Sequence, residues 1–424
     1  MVKKLRAGII GVLIPALLWS QDNGPLNLQK AYDLAQKNYP VTKQSGLIEQ
    51  TASLTIDNLS KGYLPQITLS GQATYQSDVT KVPVNIPGFN IESPSKDQYK
   101  VVADLNQLIY DGGAIKQQKV VQQLNANVEE QKVQVELYKL KERINQFYLG
   151  VLFIDEQLKQ VGLVSQDLQI GIKRVQAQVD NGTVLRSNLN VLKAELLKND
   201  QRAIELKATR KGLIETLSLF LGQNLPENTQ LEMPAQAGFT PTVEVSRPEL
   251  KLFQQQANLN NQQNNVIKSK NLPKASLFVQ GGYGRPGLNV LTNEFDLYYI
   301  GGVRFNWSLG NLYTKKKEKK LVEVNKRVID IQQETFLLNT NTQLKQQQSD
   351  IEKLQQLVAT DDAIIDLRHQ VTEAAKAQLE NAVITANDYL REVNAEDAAK
   401  QTRIMHQVQL LQAEINYQTI SGKQ

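Results

Sequence analysis

The chain has 424 residues, 41% of them hydrophobic, with a mean hydropathy of −0.38 and a formal net charge of +5. That average excludes a bundle of membrane helices, which needs repeated runs of ~20 apolar residues. The absence of cysteine excludes disulfides, thiolate metal sites and cysteine nucleophiles. Two histidines, His369 and His406, and 6% aromatics supply little for a metal or a stacked cofactor. No catalytic residue, metal site or cofactor is expected.

Lys3, Lys4 and Arg6 precede an apolar run from Ala7 to Trp19, and Ser20-Gln21-Asp22 follows it. A basic start, a short apolar stretch and a small residue before a polar one predict a cleaved secretory signal over residues 1–20. The run contains Pro15 and is too short to span a bilayer. No cysteine follows it, so an N-terminal lipid anchor is not expected on the exported chain. Apart from those three cations, bases and acids nearly balance, and nothing points to nucleic acid as a partner.

The sequence is written twice. YLPQITLSGQATYQ at 63–76 is echoed by NLPKASLFVQGGY at 271–283, and Asn181-Gly-Thr-Val by Asn381-Ala-Val-Ile. A first repeat over 21–225 and a second over 246–424 are expected, joined by a segment at 226–245 that holds Pro226, Pro234 and Pro241. Each repeat reads helix, strand, strand, long helix, helix. In the first, helix is predicted over 28–60, stopped by Leu64-Pro65.

Strands are predicted at about 64–77, 98–109, 274–284 and 296–309. In the first, Ile67, Leu69, Gly71, Ala73 and Tyr75 alternate with Gln66, Thr68, Ser70, Gln72 and Thr74, the period of a strand with one apolar and one wet face. Tyr99, Val101, Ala103 and Leu105 alternate with Lys100, Asp104 and Asn106. In the second repeat Ala275, Leu277, Val279 and Tyr283 share a face, as do Leu297, Tyr299, Val303, Phe305 and Trp307 opposite Arg304. Such lengths suit tilted strands crossing an outer membrane, with Tyr75, Tyr99, Tyr110, Tyr283, Tyr298 and Trp307 toward their ends as aromatic girdles. Four strands do not close a barrel, and lipid tolerates no open edge, so several chains are expected to contribute. Lys100, Asp104 and Arg304, on the wet faces, are expected to line the barrel lumen.

Long helices are predicted over 112–180 and 312–380, and shorter ones over 184–221 and 384–420. Val151, Ile154, Leu158, Val161, Leu168, Ile172, Val175 and Val179 keep the three-four spacing of a coiled-coil seam, and Ile404, Val408, Leu411 and Ile415 continue it. Their other faces are polar, as a thin wall wetted on both sides requires. A soluble periplasmic coiled-coil scaffold explains the helices equally well, but not the strands.

In order, Leu64-Pro65, Leu108-Ile-Tyr-Asp-Gly-Gly113, Arg247-Pro-Glu-Leu250, Leu272-Pro273 and Trp307-Ser-Leu-Gly310 mark the same junctions in both repeats. With these, the chain resembles the TolC-like outer-membrane efflux family over its mature length. The resemblance implies a mostly α protein with a β-barrel part. It implies a homotrimer with a twelve-stranded barrel in outer-membrane lipid and a helical coiled-coil barrel in the periplasm. An equatorial region would come from the segment around 223–245 and the termini. It also implies an exit duct without enzymatic activity, working with a periplasmic adaptor and an inner-membrane pump of RND or ABC type. Efflux of small molecules is the first expectation and type I protein secretion the alternative.

In that family the turns between paired helices form the periplasmic entrance. By resemblance Asp388 matches the acidic gate position, Asn188 is its neutral counterpart, and Arg391 stands where some members carry another acid. The adaptor-contact turns would be Asn181, Gly182 and Thr183, and Ala382 and Val383, with Ala382 in place of the usual glycine. Asp388 equally fits an acid favoured by a helix N-terminus. Gly282-Tyr-Gly284-Arg-Pro-Gly287 matches G-x-G-x-x-G, but Pro286 and a polar loop follow where a helix should start, so it reads as a strand end. Lys315-Lys-Lys-Glu-Lys-Lys320 reads as a solvated helix start just inside the membrane, and His369 and His406 as solvated or wall-packed imidazoles.

Overall fold

The computed structural model describes residues 24–80, 93–235, 241, 244–381 and 383–423. The expected signal at 1–20 and part of the joining segment lie outside them. In chain order the elements are α1 (Leu28–Asn38), α2 (Lys43–Lys61), β1 (Gln66–Tyr75), β2 (Asp97–Tyr110), α3 (Ala114–Asp180) and α4 (Arg186–Leu221). There follow α5 (Pro248–Lys270), β3 (Lys274–Arg285), β4 (Asp296–Asn306), α6 (Asn311–Glu380) and α7 (Ala386–Ser421). The second set repeats the first, with the single helix α5 where the first has α1 and α2.

The helix expected over 28–60 is broken. Pro40 forces Tyr39 into the extended region (φ −65°, ψ 131°), and a 3-10 turn at Pro40–Thr42 restarts the chain as α2. β4 ends at Asn306, before Trp307, because its partner β3 begins at Lys274, after Pro273, which has no N–H to continue the ladder.

The sheet has four antiparallel strands in sequence order, so β2 of the first repeat pairs with β3 of the second and both outer edges are open. Helices make up most of the other described residues. α3 has 67 residues and α6 has 70, each about 100 Å at 1.5 Å per residue. Shorter helices pack along both: α2, α4, α5 and α7 on α3, and α5 and α7 on α6. Among the described residues no helix is long and apolar enough to cross a membrane.

Three clusters make the core. One sits halfway along α3, where Ile144, Tyr148 and Leu152 pack on Ala31, Tyr32, Leu217, Leu221 and Leu411. The Tyr148 hydroxyl donates to the Leu26 and Glu232 carbonyls at 2.6 and 2.7 Å, and Leu26 bridges Leu231, which ties the chain start and the joining segment to that level. Burial pushes the Tyr148 hydroxyl pKa well up, so it stays a donor. A second cluster lies near the far helix ends, around Leu168, Val175, Leu189, Leu192, Leu379 and Tyr389. A third joins α6 to α7 through Leu344, Ile351, Leu354, Leu410 and Tyr417. Of the predicted α3 seam, Val151, Ile154, Val161, Leu168 and Val175 are buried, and Leu168 and Val175 belong to the second cluster.

Candidate functional site

In the sheet, register joins the apolar faces. Ile67 pairs with Leu105, Leu105 with Val279 and Val279 with Gly301; Gly71, Val101, Tyr283 and Leu297 form another such row. This apolar side is the exposed one, with Ile67 at 72%, Leu69 at 73% and Tyr299 at 82%. On the inner strands the opposite side is the more covered: in β3, Ser276, Phe278, Gln280, Gly282 and Gly284 are buried or half-buried, while Leu277, Val279 and Tyr283 are exposed. On the outer strands β1 and β4 both sides are exposed apart from Thr74 and Tyr298. The arrangement reverses that of a water-soluble protein.

Lys100, Asp104 and Arg304 all fall on that opposite side, the first two half-buried and Arg304 exposed. The Asp104 carboxylate accepts from Gln280 Nε2 at 2.8 Å, and the Arg304 guanidinium lies 4.6 Å from the Phe278 ring centroid. This face is less polar than its sequence pattern suggested. Phe278 and Ile300 share it, and Tyr298, expected in a girdle, lies across Gly282 with its ring in the space a Cβ there would take. At the loop end, Arg285 pairs with Asp97 and stacks on Tyr99 and Phe295 at 5.5 and 5.3 Å, a cluster the sequence pattern did not reveal.

At the far ends of the long helices the two turns are built alike. Asn181 caps α3, Gly182 takes φ 72°, and the Thr183 N–H donates to the Gln178 carbonyl at 2.9 Å, closing a Schellman turn. In the second copy the Asn381 N–H donates to Ala377 at 3.2 Å and the Val383 N–H to Gln378 at 2.8 Å. Val383 is exposed, and Ala382 lies outside the described residues.

The next helix starts differ. Thr385 and Asp388 form a reciprocal capping box at the head of α7, whereas Leu185, at the matching place before α4, offers no side-chain cap and Asn188 donates only its N–H to the Leu185 carbonyl, at 3.1 Å. The Thr385 hydroxyl and N–H, then the Arg391 charge, hold the Asp388 carboxyl below the usual aspartate value. Arg391 itself is exposed and donates to Glu392 at 3.0 Å. The T-x-x-D spacing that marks the box stands in the sequence.

The two long helices are tied together beside these turns. Arg174 of α3 pairs with Glu380 of α6, and Gln178 Nε2 donates to the Glu380 carbonyl at 3.0 Å. Above this tie a groove of about 530 Å³ opens between α3, α6 and α7, lined by Asp167, Arg174, His369, Lys376, Glu396 and Lys400 among others. His369 accompanies Glu396 at 3.1 Å and Lys400 pairs with the same carboxylate at 2.7 Å. His406, packed in the wall, meets Asp361 at 2.6 Å. Each histidine thus has a carboxylate partner, which the sequence alone did not indicate. Among the described residues no three potential ligands converge on a metal position.

No protein-family profile matches the chain, and no curated protein matches its sequence. Solved structures do match. CusC, described in terms of transmembrane channel formation, is 13% identical with a TM-score of 0.67, over 94% of this chain and 92% of its own. The Campylobacter jejuni outer membrane channel CmeC is 15% identical with a TM-score of 0.64, over 96% of this chain and 87% of its own. The Vibrio cholerae outer membrane protein VceC is 14% identical with a TM-score of 0.64, over 93% of this chain and 96% of its own. The chain has the fold of these TolC-like channels.

Proposed function

We propose that this chain is the outer-membrane exit duct of a tripartite efflux system. Three copies close one barrel in lipid and continue it as a helical tunnel through the periplasm. The observation that carries this reading is the sheet's continuous apolar side, largely exposed across all four strands, with both edges open. An open edge in lipid leaves backbone N–H and C=O groups unsatisfied, so β1 of one copy must meet β4 of the next.

The helices support the same assembly. On α6, Leu321, Val324, Val328, Ile331 and Leu338 are exposed at three-, four- and seven-residue steps, a seam without a partner inside the chain. Leu47 and Leu54 on α2, and Leu197 and Ile204 on α4, are exposed at seven-residue steps on other edges. Two different unpartnered edges on one chain make a head-to-tail contact, which a threefold rotation closes into a ring.

In this assembly Lys100, Asp104 and Arg304 line the barrel lumen. The turns at Asn181–Thr183 and around Val383 form the periplasmic entrance and meet an adaptor that links the duct to an inner-membrane pump. Asp388, Asn188 and Arg391 stand at that entrance, where fixed charge tunes permeation. The chain provides a passage and no chemistry of its own. Negative-stain images of the detergent-purified protein are expected to show a threefold cylinder with a long tail. A compact monomer released from the envelope without detergent overturns the reading.

A further inference from the structure

The lysine run at 315–320 takes part neither in the strand pairing nor in the far helix turns. It lies where the sheet meets the helices. Trp307 and Leu309 in the turn after β4, and Leu312 and Tyr313 at the head of α6, are exposed, Tyr313 at 87%. Tyr63 and Leu64, in the turn entering β1, are exposed at the same end of the sheet. Together they form an aromatic collar at the helix-side rim of the apolar face.

Directly below the collar, in the first three turns of α6, stand Lys315, Lys316, Lys317, Lys319 and Lys320. At 3.6 residues per turn they spread over roughly 200° of the helix surface. Lys317 and Lys320 run into the exposed Leu321, Val324 and Val328 stripe that the duct reading gives to the next copy, and Lys315, Lys316 and Lys319 lie beside it. The remaining side is the one packed on α5: Glu318 pairs with Lys270 at 3.1 Å, and the Val322 carbonyl accepts from Asn260 at 2.9 Å. Among the described residues no carboxylate pairs with any of the five lysines. Lys116 and Lys119 at the head of α3, and Lys268 at the end of α5, add charge at the same level, with Lys119 5.6 Å over the Tyr63 ring. Among the described residues the opposite end of the sheet has no such excess; there Asp97 offsets Arg285, Lys96 stands against Asp78, and Glu294 and Asp296 are acidic.

We propose that this belt is a docking surface for the anionic headgroups of phospholipids, in the leaflet that faces the long helices. The proposal rests on the duct reading, which places the apolar sheet face in a bilayer. Lysine stems lie along apolar surface while their ammonium groups reach the phosphate level. Basic residues at that level attract anionic lipid by roughly fivefold each. The alternative use of the charge, attraction of anions inside the lumen, needs lysines on one face only, whereas this arc is wide and borders the exposed collar.

The test uses the full chain reconstituted in mixed vesicles of phosphatidylethanolamine and phosphatidylglycerol, re-extracted in mild detergent, with retained lipid counted by native mass spectrometry. Retained phosphatidylglycerol is expected to exceed its share of the vesicle several-fold. K315Q/K316Q/K317Q/K319Q/K320Q should lose that enrichment, and the five Lys→Arg replacements should keep it. Equal enrichment in wild type and the glutamine variant overturns the proposal. So does a glutamine variant that changes only the anion selectivity of the reconstituted channel. A chain that never enters the bilayer overturns the duct reading as well, whereas one that inserts without enrichment overturns the belt alone.

Discussion

Asp388 and Thr385 cap one another: the Thr385 hydroxyl donates to the Asp388 carboxylate at 2.7 Å and accepts from the Asp388 N–H at 3.3 Å. The acid expected at the entrance therefore also starts the helix that carries it. Thr385→Ala should cost about 1 kcal/mol of local helix stability, and Thr385→Ser should restore most of it. Amide exchange over the first turn of α7 reads this directly; unchanged exchange in the alanine variant removes the cap from the account. In the same region Asp388→Ala should weaken single-channel block by divalent cations, and unchanged block removes Asp388 from the gate.

Arg174 and Glu380 join the ends of α3 and α6, but both side chains are about half exposed. Solvent screening limits such a pair to a few tenths of a kcal/mol. A double-mutant cycle with Arg174→Ala and Glu380→Ala should give a coupling of ~0.5 kcal/mol at low salt. The coupling should shrink toward zero at 1 M salt, where the screening length is ~3 Å. A coupling that does not fall with salt would show that charge is not what joins the two side chains.

Glu396 is buried among partners. Burial pushes its carboxyl pKa up, but hydrogen bonds from Lys400, Thr372 and His369 outweigh that and leave it below the usual glutamate value. A depressed carboxylate pKa contributes stability above the unfolded value, near 4.5, and loses it as pH falls through the folded one. Thermal unfolding of the wild type should therefore drop more steeply below pH ~4.5 than that of Glu396→Gln. Parallel pH profiles for the two proteins would rule out this source of acid sensitivity.

Gly222 ends α4 at φ 65°, and a Cβ there would stand 2.6 Å from the Asn38 Cβ. Gly222→Ala carries the left-handed penalty of ~1–2 kcal/mol and overpacking of similar size. A loss of about 3 kcal/mol in the denaturant midpoint analysis is expected. Gly212→Ala, on the same helix with open space around its Cβ position, should be neutral or stabilising and serves as the control.

The site was only partly legible in the sequence. Alternation placed Lys100, Asp104 and Arg304 on the polar strand faces because side-chain direction in a strand has a period of two. The partners of His369 and His406 lie 27 and 45 residues away, on the neighbouring helix, and no local spacing announces them. Pro40 was in plain view, yet the apolar pattern continues past it, so the break at Tyr39 passed for helix. Tyr298 looked like a girdle residue by its position in the chain; register with Gly282 set it on the other face.

The sequence by itself determined the kinds of element, their duplication and the two-faced character of each strand. Those properties are periodic along the chain, and neighbouring residues suffice to specify them. Only the tertiary structure decided that β2 pairs with β3 across the two repeats, so that four apolar faces merge on one exposed side. It alone brought Arg174 to Glu380 and His406 to Asp361. Pairing and burial depend on segments far apart in the chain meeting in one register, and a single stretch of sequence carries only its own half of that match.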